Sequence, residues 1–248
     1  MSVKVTVVTV TYNCAGIVEE TIKSVIGQDY DNLEYIIIDG ASSDGTWDIV
    51  NRYADRITYM VSEPDKGIYD AMNKGIDAAT GRWINFMNAG DVFASNTVLS
   101  EVFAEPIGDD VGFMFGKSGG ITSKGYRTPP EKLTPFYESK DKFHNMGFNH
   151  QAAFARTDIA KRLHFDLSFR TCADYNMMAS IVKAGYRGEY RDVTVAINEG
   201  REGFSADNRR RQRYEEAVIC GSADTLTFRI IDWWRTLKET IKKIIGMK

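Results

Sequence analysis

Val3 to Val10 is an apolar, β-branched run and predicts a buried strand, closed by Thr11-Tyr12-Asn13. Ile17, Val18, Thr21, Ile22, Val25 and Ile26 then recur at helical spacing. Tyr35 to Ile38 predicts a second strand. Its three consecutive isoleucines mark burial on both faces, as in a parallel sheet covered by helices. A helix from about Trp47, a short strand at Ile57 to Val61, a helix at Ile68 to Ala79 and a strand at Trp83 to Met87 follow. This alternation predicts right-handed βαβ units, and so an α/β fold with a mostly parallel central sheet flanked by helices.

Beyond Asp91 the alternation weakens. Asp109 to Phe115 predicts a strand, and the glycine-rich Gly116 to Gly125 a turn. Residues 126–149 read as loop, with Pro129, Pro130 and Pro135, and His150 to Ala155 as another strand. Asp174 to Ala184 predicts a helix stopped at Gly185. In residues 226–245, Leu226, Ile230, Trp233, Trp234, Leu237, Ile241, Ile244 and Ile245 share one arc of a helix, with Arg229, Arg235, Lys238, Lys242 and Lys243 outside it. Paired tryptophans beside a cationic face describe a helix that lies on a membrane surface. Packing of that stripe on the preceding domain, or on a second copy in a homo-oligomer, is the competing reading.

The net charge of -3 argues against a general nucleic-acid binder. Residues 225–248 carry +4 of it, which leaves -7 for the remainder. Three cysteines, Cys14, Cys172 and Cys220, do not make a disulfide framework. No apolar run reaches the roughly 20 residues of a membrane span, and the chain enters a strand at once with no leader. The expectation is a reduced, cytoplasmic compartment.

Polar groups collect where the first strands end. Thr11 and Tyr12 follow the first, Asp39 and Asp44 the second, Asn88 and Asp91 the fourth. Open α/β sheets bind ligands beyond the carboxyl ends of their strands. Asp39 and Asp44 can also be read as caps of a turn and of the next helix. No G-x-G-x-x-G follows the first strand, and Gly116-Lys117-Ser118 lacks the upstream glycine of a phosphate loop, that position being Val111.

The segments VTVVTVTYN, IIIDGASSDGT, SEPDKGIYDAMNKGIDAATGRWINFMNAGD, HQAAF and ADYNMM occur in this order over residues 3–205. Together they resemble a family 2 glycosyltransferase, in particular bacterial enzymes of capsule, O-antigen and colanic-acid-type polysaccharide synthesis. The resemblance implies a GT-A fold over residues 1–207, with a nucleotide-binding half (1–103), an acceptor half (104–207) and a basic helical tail (208–248). It implies inverting transfer of a sugar from a nucleotide diphosphate donor, a UDP-sugar by preference, to a saccharide or lipid-linked saccharide. Tyr12 would lie against the base, Asp39 would accept its hydrogen bonds, and Asp44 would support the ribose. Lys66 would offset phosphate charge. Thr11 and Asn88 complete the implied donor pocket, His150 and Gln151 match a His-Gln pair that lines the donor-sugar or acceptor pocket, and Gly203, Phe204 and Ser205 resemble a late motif that closes over the donor.

Asp91 would hold Mg²⁺ or Mn²⁺, although Asn88 and Gly90 stand where the family usually has further carboxylates. Asp174 would be the general base that deprotonates the acceptor. It fits a helix N-cap as well, and the two roles are compatible. Two rival readings are a nucleotidyltransferase, which the first strand's missing glycine-rich loop disfavours, and a catalytically degenerate, metal-free nucleotide-sugar-binding subunit, motivated by Asn88.

Overall fold

The structure is a computed structural model, and it describes residues 2–122, 125–127, 148–198 and 208–245. Gly203, Phe204 and Ser205 lie outside these residues.

Strands β1 (Val5–Thr11), β2 (Leu33–Asp39), β3 (Tyr59–Ser62) and β4 (Trp83–Phe86) run parallel in the order β3-β2-β1-β4. Helices α1 (Val18–Ile26), α2 (Thr46–Asn51) and α3 (Ile68–Ala78) make the crossovers. The unbroken apolar strands follow from burial on both faces. Val8, Val10, Ile36 and Ile38 enter one core cluster with Met72 and Ile76 of α3. Val5, Val7, Tyr35 and Ile37 enter the other with Ile22 and Val25 of α1. Alternation along each strand sends neighbours to opposite faces.

The sheet continues without a break. Strand β8 (Ala153–Arg156) pairs antiparallel with β4 and with β6 (Val111–Thr122). Beyond β6 lie β9 (Arg187–Asn198) and β5 (Asp91–Phe93), while β7 (Gly125–Arg127) pairs β6 off the main path. Helices α4 (Val98–Val102), α5 (Thr157–Leu163) and α6 (Ala173–Lys183) cover this half. The chain then forms α7 (Arg209–Ile219) and α8 (Leu226–Ile245).

The turn expected over Gly116 to Gly125 is strand as far as Thr122, and the chain pairs back antiparallel from Gly125. β6 runs on to Thr122 alongside β9, with irregular register from Phe115 to Ser118. Gly116 permits this, because a Cβ there would stand 2.5 Å from the carbonyl oxygen of Val193 and 2.7 Å from Val195 Cγ2. Its glycine marks a close backbone approach inside a bulged strand. The strand expected from His150 starts at Ala153 instead, and His150–Ala152 is a 3-10 turn.

Candidate active site

The first parallel strands end side by side, Thr11 in register with Asp39 and Asp39 with Ser62. Asp39 is 0% exposed, and its carboxylate is ringed by donors. Oδ1 accepts from Thr11 Oγ1 at 2.8 Å and from Ser42 Oγ, and Oδ2 from Ser42 N at 2.9 Å and Ser62 Oγ at 2.6 Å. Burial alone would raise its pKa, but the bonds from Ser42, Ser62 and Thr11 outweigh that and hold it below the ordinary carboxylate value. Thr11 thus works through Asp39.

The loops after β1 and β2 are laced together. Asn13 N donates to Ser42 Oγ, Ser43 N to Asn13 Oδ1, and Cys14 N to Thr46 Oγ1. Asn13 and Ala41 both adopt positive φ, at 46° and 60°, a strained conformation that clusters at binding sites. Asp44 is exposed and is a loop clamp. It accepts from Ala15 N and from Thr46 N and Oγ1, and the Ala15 bond chiefly lowers its pKa.

Tyr12 projects from this frame at 67% exposure. Gly40 sits between it and Asp65, since a Cβ there would meet Asp65 Oδ2 at 2.5 Å and Tyr12 Cδ2 at 3.3 Å. Asp65, overlooked in the sequence, accepts from Gly67 N at 2.7 Å and shapes the loop that carries exposed Lys66.

A second group forms beyond β4. Asn88-Ala89-Gly90-Asp91 is a turn closed by Asp91 N on Asn88 O at 2.9 Å, with Gly90 at φ 96°. The positive φ explains why glycine, not a carboxylate, occupies position 90. Asp91 Oδ2 accepts from Gln151 Nε2 at 2.8 Å. His150 Nε2 lies 3.0 Å from Asn88 Nδ2, and its Nδ1 lies 3.0 Å from Asp174 Oδ2. The His150–Ala152 turn therefore links Asp91 to Asp174. Fully buried Asn85 fixes that turn from β4 by donating to the carbonyls of Gln151 and Ala153. Its signal was a polar residue in the apolar strand Trp83–Phe86.

Asp174 lies in the first turn of α6. Oδ1 also accepts from Tyr175 N at 2.9 Å and from the Tyr69 hydroxyl at 3.2 Å, and Tyr69 was not foreseen. Burial would raise the Asp174 pKa; the His150 hydrogen bond and charge, with Tyr175 and Tyr69, lower it instead. His150 responds in the opposite sense: burial would lower its pKa, and Asp174 raises it. The candidate base is thus ionised and aimed.

Among the described residues no group of three or more His, Cys, Asp and Glu could cage a metal. The oxygen donors at hand are the Asp91 carboxylate and Asn88 Oδ1, a buried atom with no hydrogen-bond partner. An orphaned carbonyl oxygen beside one carboxylate fits a hard divalent cation that draws its other ligands from a diphosphate and water.

The sequence profile of glycosyl transferase family 2 matches residues 6–164, more than half of the chain. The chain belongs to this family. An uncharacterized glycosyltransferase of Mycobacterium tuberculosis (strain CDC 1551 / Oshkosh) is 31% identical over 178 residues, covering 68% of this chain and 65% of the relative. A UDP-Glc:alpha-D-GlcNAc-diphosphoundecaprenol beta-1,3-glucosyltransferase of Escherichia coli is 33% identical over 99 residues, 40% of this chain and 39% of the relative. The chain thus spans less than two thirds of the length of these relatives.

Among solved structures, a Pyrobaculum calidifontis mannosyltransferase in complex with GDP-Man and Mn²⁺ superposes with a TM-score of 0.68. It is 23% identical, with 88% of this chain and 65% of that one covered. S. aureus TarS 1–349 in complex with UDP-GlcNAc gives 0.70 at 19% identity, with 90% and 68% covered. The family 2 chain therefore has the GT-A fold.

Proposed function

We propose that this chain transfers a sugar from a nucleotide diphosphate donor to an acceptor hydroxyl, with inversion, in cell-surface polysaccharide synthesis. One observation carries the reading: Asp174 is ionised, held by three donors, and tied through the His150-Gln151 pair to Asp91. An ionised carboxylate held in this way has no use in a subunit that only binds donor, so the degenerate alternative loses its support.

The base stacks on exposed Tyr12, beside the Asp39 frame. Lys66 stands in an exposed loop where it can meet phosphate charge. Asp91 and Asn88 would hold Mg²⁺ or Mn²⁺, which when bound offsets the charge of the departing diphosphate. Asp174 takes the proton of the acceptor hydroxyl as that oxygen attacks the anomeric carbon from the face opposite the leaving group. His150 holds the carboxylate ionised until then. UDP is the favoured nucleotide.

The acceptor is lipid-linked and the chain works at the cytoplasmic membrane surface. Among the described residues no helix is long and apolar enough to cross a membrane. The α8 stripe, however, is turned outward, with Leu226, Ile230, Trp233 (59% exposed) and Trp234 (52%) uncovered. The helix packs on α7 through a different side, by buried Phe228 and the Asp232–Arg213 ion pair at 3.0 Å. Exposed Arg229, Arg235 and Lys238 supply the charge for anionic lipid.

A thermal-shift panel of UDP, GDP and dTDP with and without Mn²⁺, followed by transfer of labelled sugar from the nucleotide that binds, tests the reading. Saturation at a hundredfold excess over Kd adds about 2.7 kcal/mol. Failure of every nucleotide to bind would contradict the proposal.

A further inference from the structure

The base sits on a helix whose start is not capped by its own residues. Cys172, at the N-cap of α6, makes no side-chain capping bond. The N–H groups of Arg170, Thr171 and Cys172 turn instead towards a carboxylate 43 to 45 residues further along the chain. That group is Glu215 of α7, only 5% exposed.

Glu215 Oε1 accepts from Arg170 N at 3.0 Å, and Oε2 from Thr171 N at 2.8 Å, Thr171 Oγ1 at 2.7 Å and Cys172 N at 3.1 Å. Arg211 Nε, one turn back on α7, donates to Oε1 at 2.7 Å. Burial would raise the pKa of this carboxylate, but the bonds from Arg170, Arg211 and Thr171 outweigh it and hold it low. Helix N-termini leave backbone donors unsatisfied and favour negative charge. Here the carboxylate comes from another helix and binds the N-cap N–H of Cys172 together with the two N–H groups before it, so it anchors the lead-in to the helix as well as its start. Asp174 follows the last clamped residue by two positions. Cys172 Sγ also donates to Gln212 O of α7 at 3.7 Å.

We propose that Glu215 is a positioning residue for the transfer reaction, fixing the α6 N-terminus and with it the direction in which Asp174 presents its carboxylate. The inference rests on Asp174 being the base. It makes α7 part of the catalytic apparatus, although it lies past the point where the sequence divides domain from tail. Since α8 packs on α7 through Asp232 with Arg213, the outward tryptophan stripe and the base are parts of one connected frame.

Glu215→Gln is the sharpest test, because it keeps shape and volume while placing an amide N–H₂ against backbone donors. A space-filling anchor would tolerate it. A charged cap would not, since misplacement of a reacting group by about 1 Å costs on the order of a hundredfold in rate. The expected result is a kcat about ten- to a hundredfold lower per folded molecule, with donor KM and the Kd for the nucleotide within about threefold. If Glu215→Gln does not fold, Thr171→Val removes one of the bonds and should lower kcat several-fold, again without moving donor affinity. A kcat within twofold of wild type in the folded variant, beside an inactive Asp174→Asn, overturns the inference alone. Retained turnover in Asp174→Asn overturns the base assignment and the inference with it.

Discussion

The imidazole of His150 stands 3.0 Å from Oδ2 of Asp174, and each group moves the other's pKa: the carboxylate down, the imidazole up. The catalytic consequence has a definite sign. Asp174 must be ionised to take a proton, so turnover is present above its pKa and lost as pH falls through it. His150→Ala deletes the strongest factor that lowers this pKa and leaves the burial that raises it. The acid limb of kcat/KM should therefore move to higher pH in the variant. A limb unchanged in position would show that the pair is not coupled in the working enzyme.

Asp91 is the one carboxylate in the Asn88–Asp91 turn, so cation affinity should depend on it heavily. Asp91→Asn should abolish the part of nucleotide-induced stabilisation that requires Mn²⁺ and leave the Mn²⁺-independent part in place. Titration calorimetry of UDP with Mn²⁺ and with EDTA separates the two.

Asp39 predicts a stability effect that needs no ligand to be seen. Its carboxylate receives four bonds in a fully buried setting. Asp39→Asn turns an amide N–H₂ towards hydroxyl and backbone donors, at a cost of about 1–3 kcal/mol for the groups left unsatisfied. Urea unfolding at pH 7 should show this loss with no nucleotide added.

Glu34 supplies a pH-dependent part of stability remote from the chemistry. It is buried among Lys4, Thr6, Thr80 and Gly81. Burial would raise its pKa, but the bond from Lys4 and those from Thr6 and Thr80 bring it down to about 2 from 4.5. A depressed carboxylate stabilises the fold above its unfolded pKa, and this is lost as pH falls towards the folded value. The loss on going from pH 4.5 to 2 is at most about 3 kcal/mol. Glu34→Gln should flatten this share of the acid loss in urea midpoints measured over that range.

The parallel half of the fold was legible because its strands are buried on both faces, so Val7-Val8 and Ile36-Ile37-Ile38 leave no other reading. α8 begins and ends at Leu226 and Ile245, where its periodicity does. β6 was not legible beyond Phe115, because Gly116 serves a close approach to β9 that only the third dimension shows. In the site, the strand-end groups announced themselves by interrupting apolar runs. Tyr69 and Glu215 did not, since they act through partners 105 and 43 residues away in sequence, while Asn85 interrupts an apolar strand but its partners, 66 and 68 residues on, show only in three dimensions. The bonds of Asp44 to Ala15 and Thr46 are those of the turn and helix cap that its place in the sequence also offers.

The most direct test is the turnover of Asp174→Asn against wild type with the nucleotide-sugar that the wild-type chain binds, with donor affinity measured on the same samples. The account predicts a kcat at least about a hundredfold lower, in line with the loss of a general base, and a donor Kd within a few-fold of wild type. Turnover near the wild-type rate in the folded variant would contradict it.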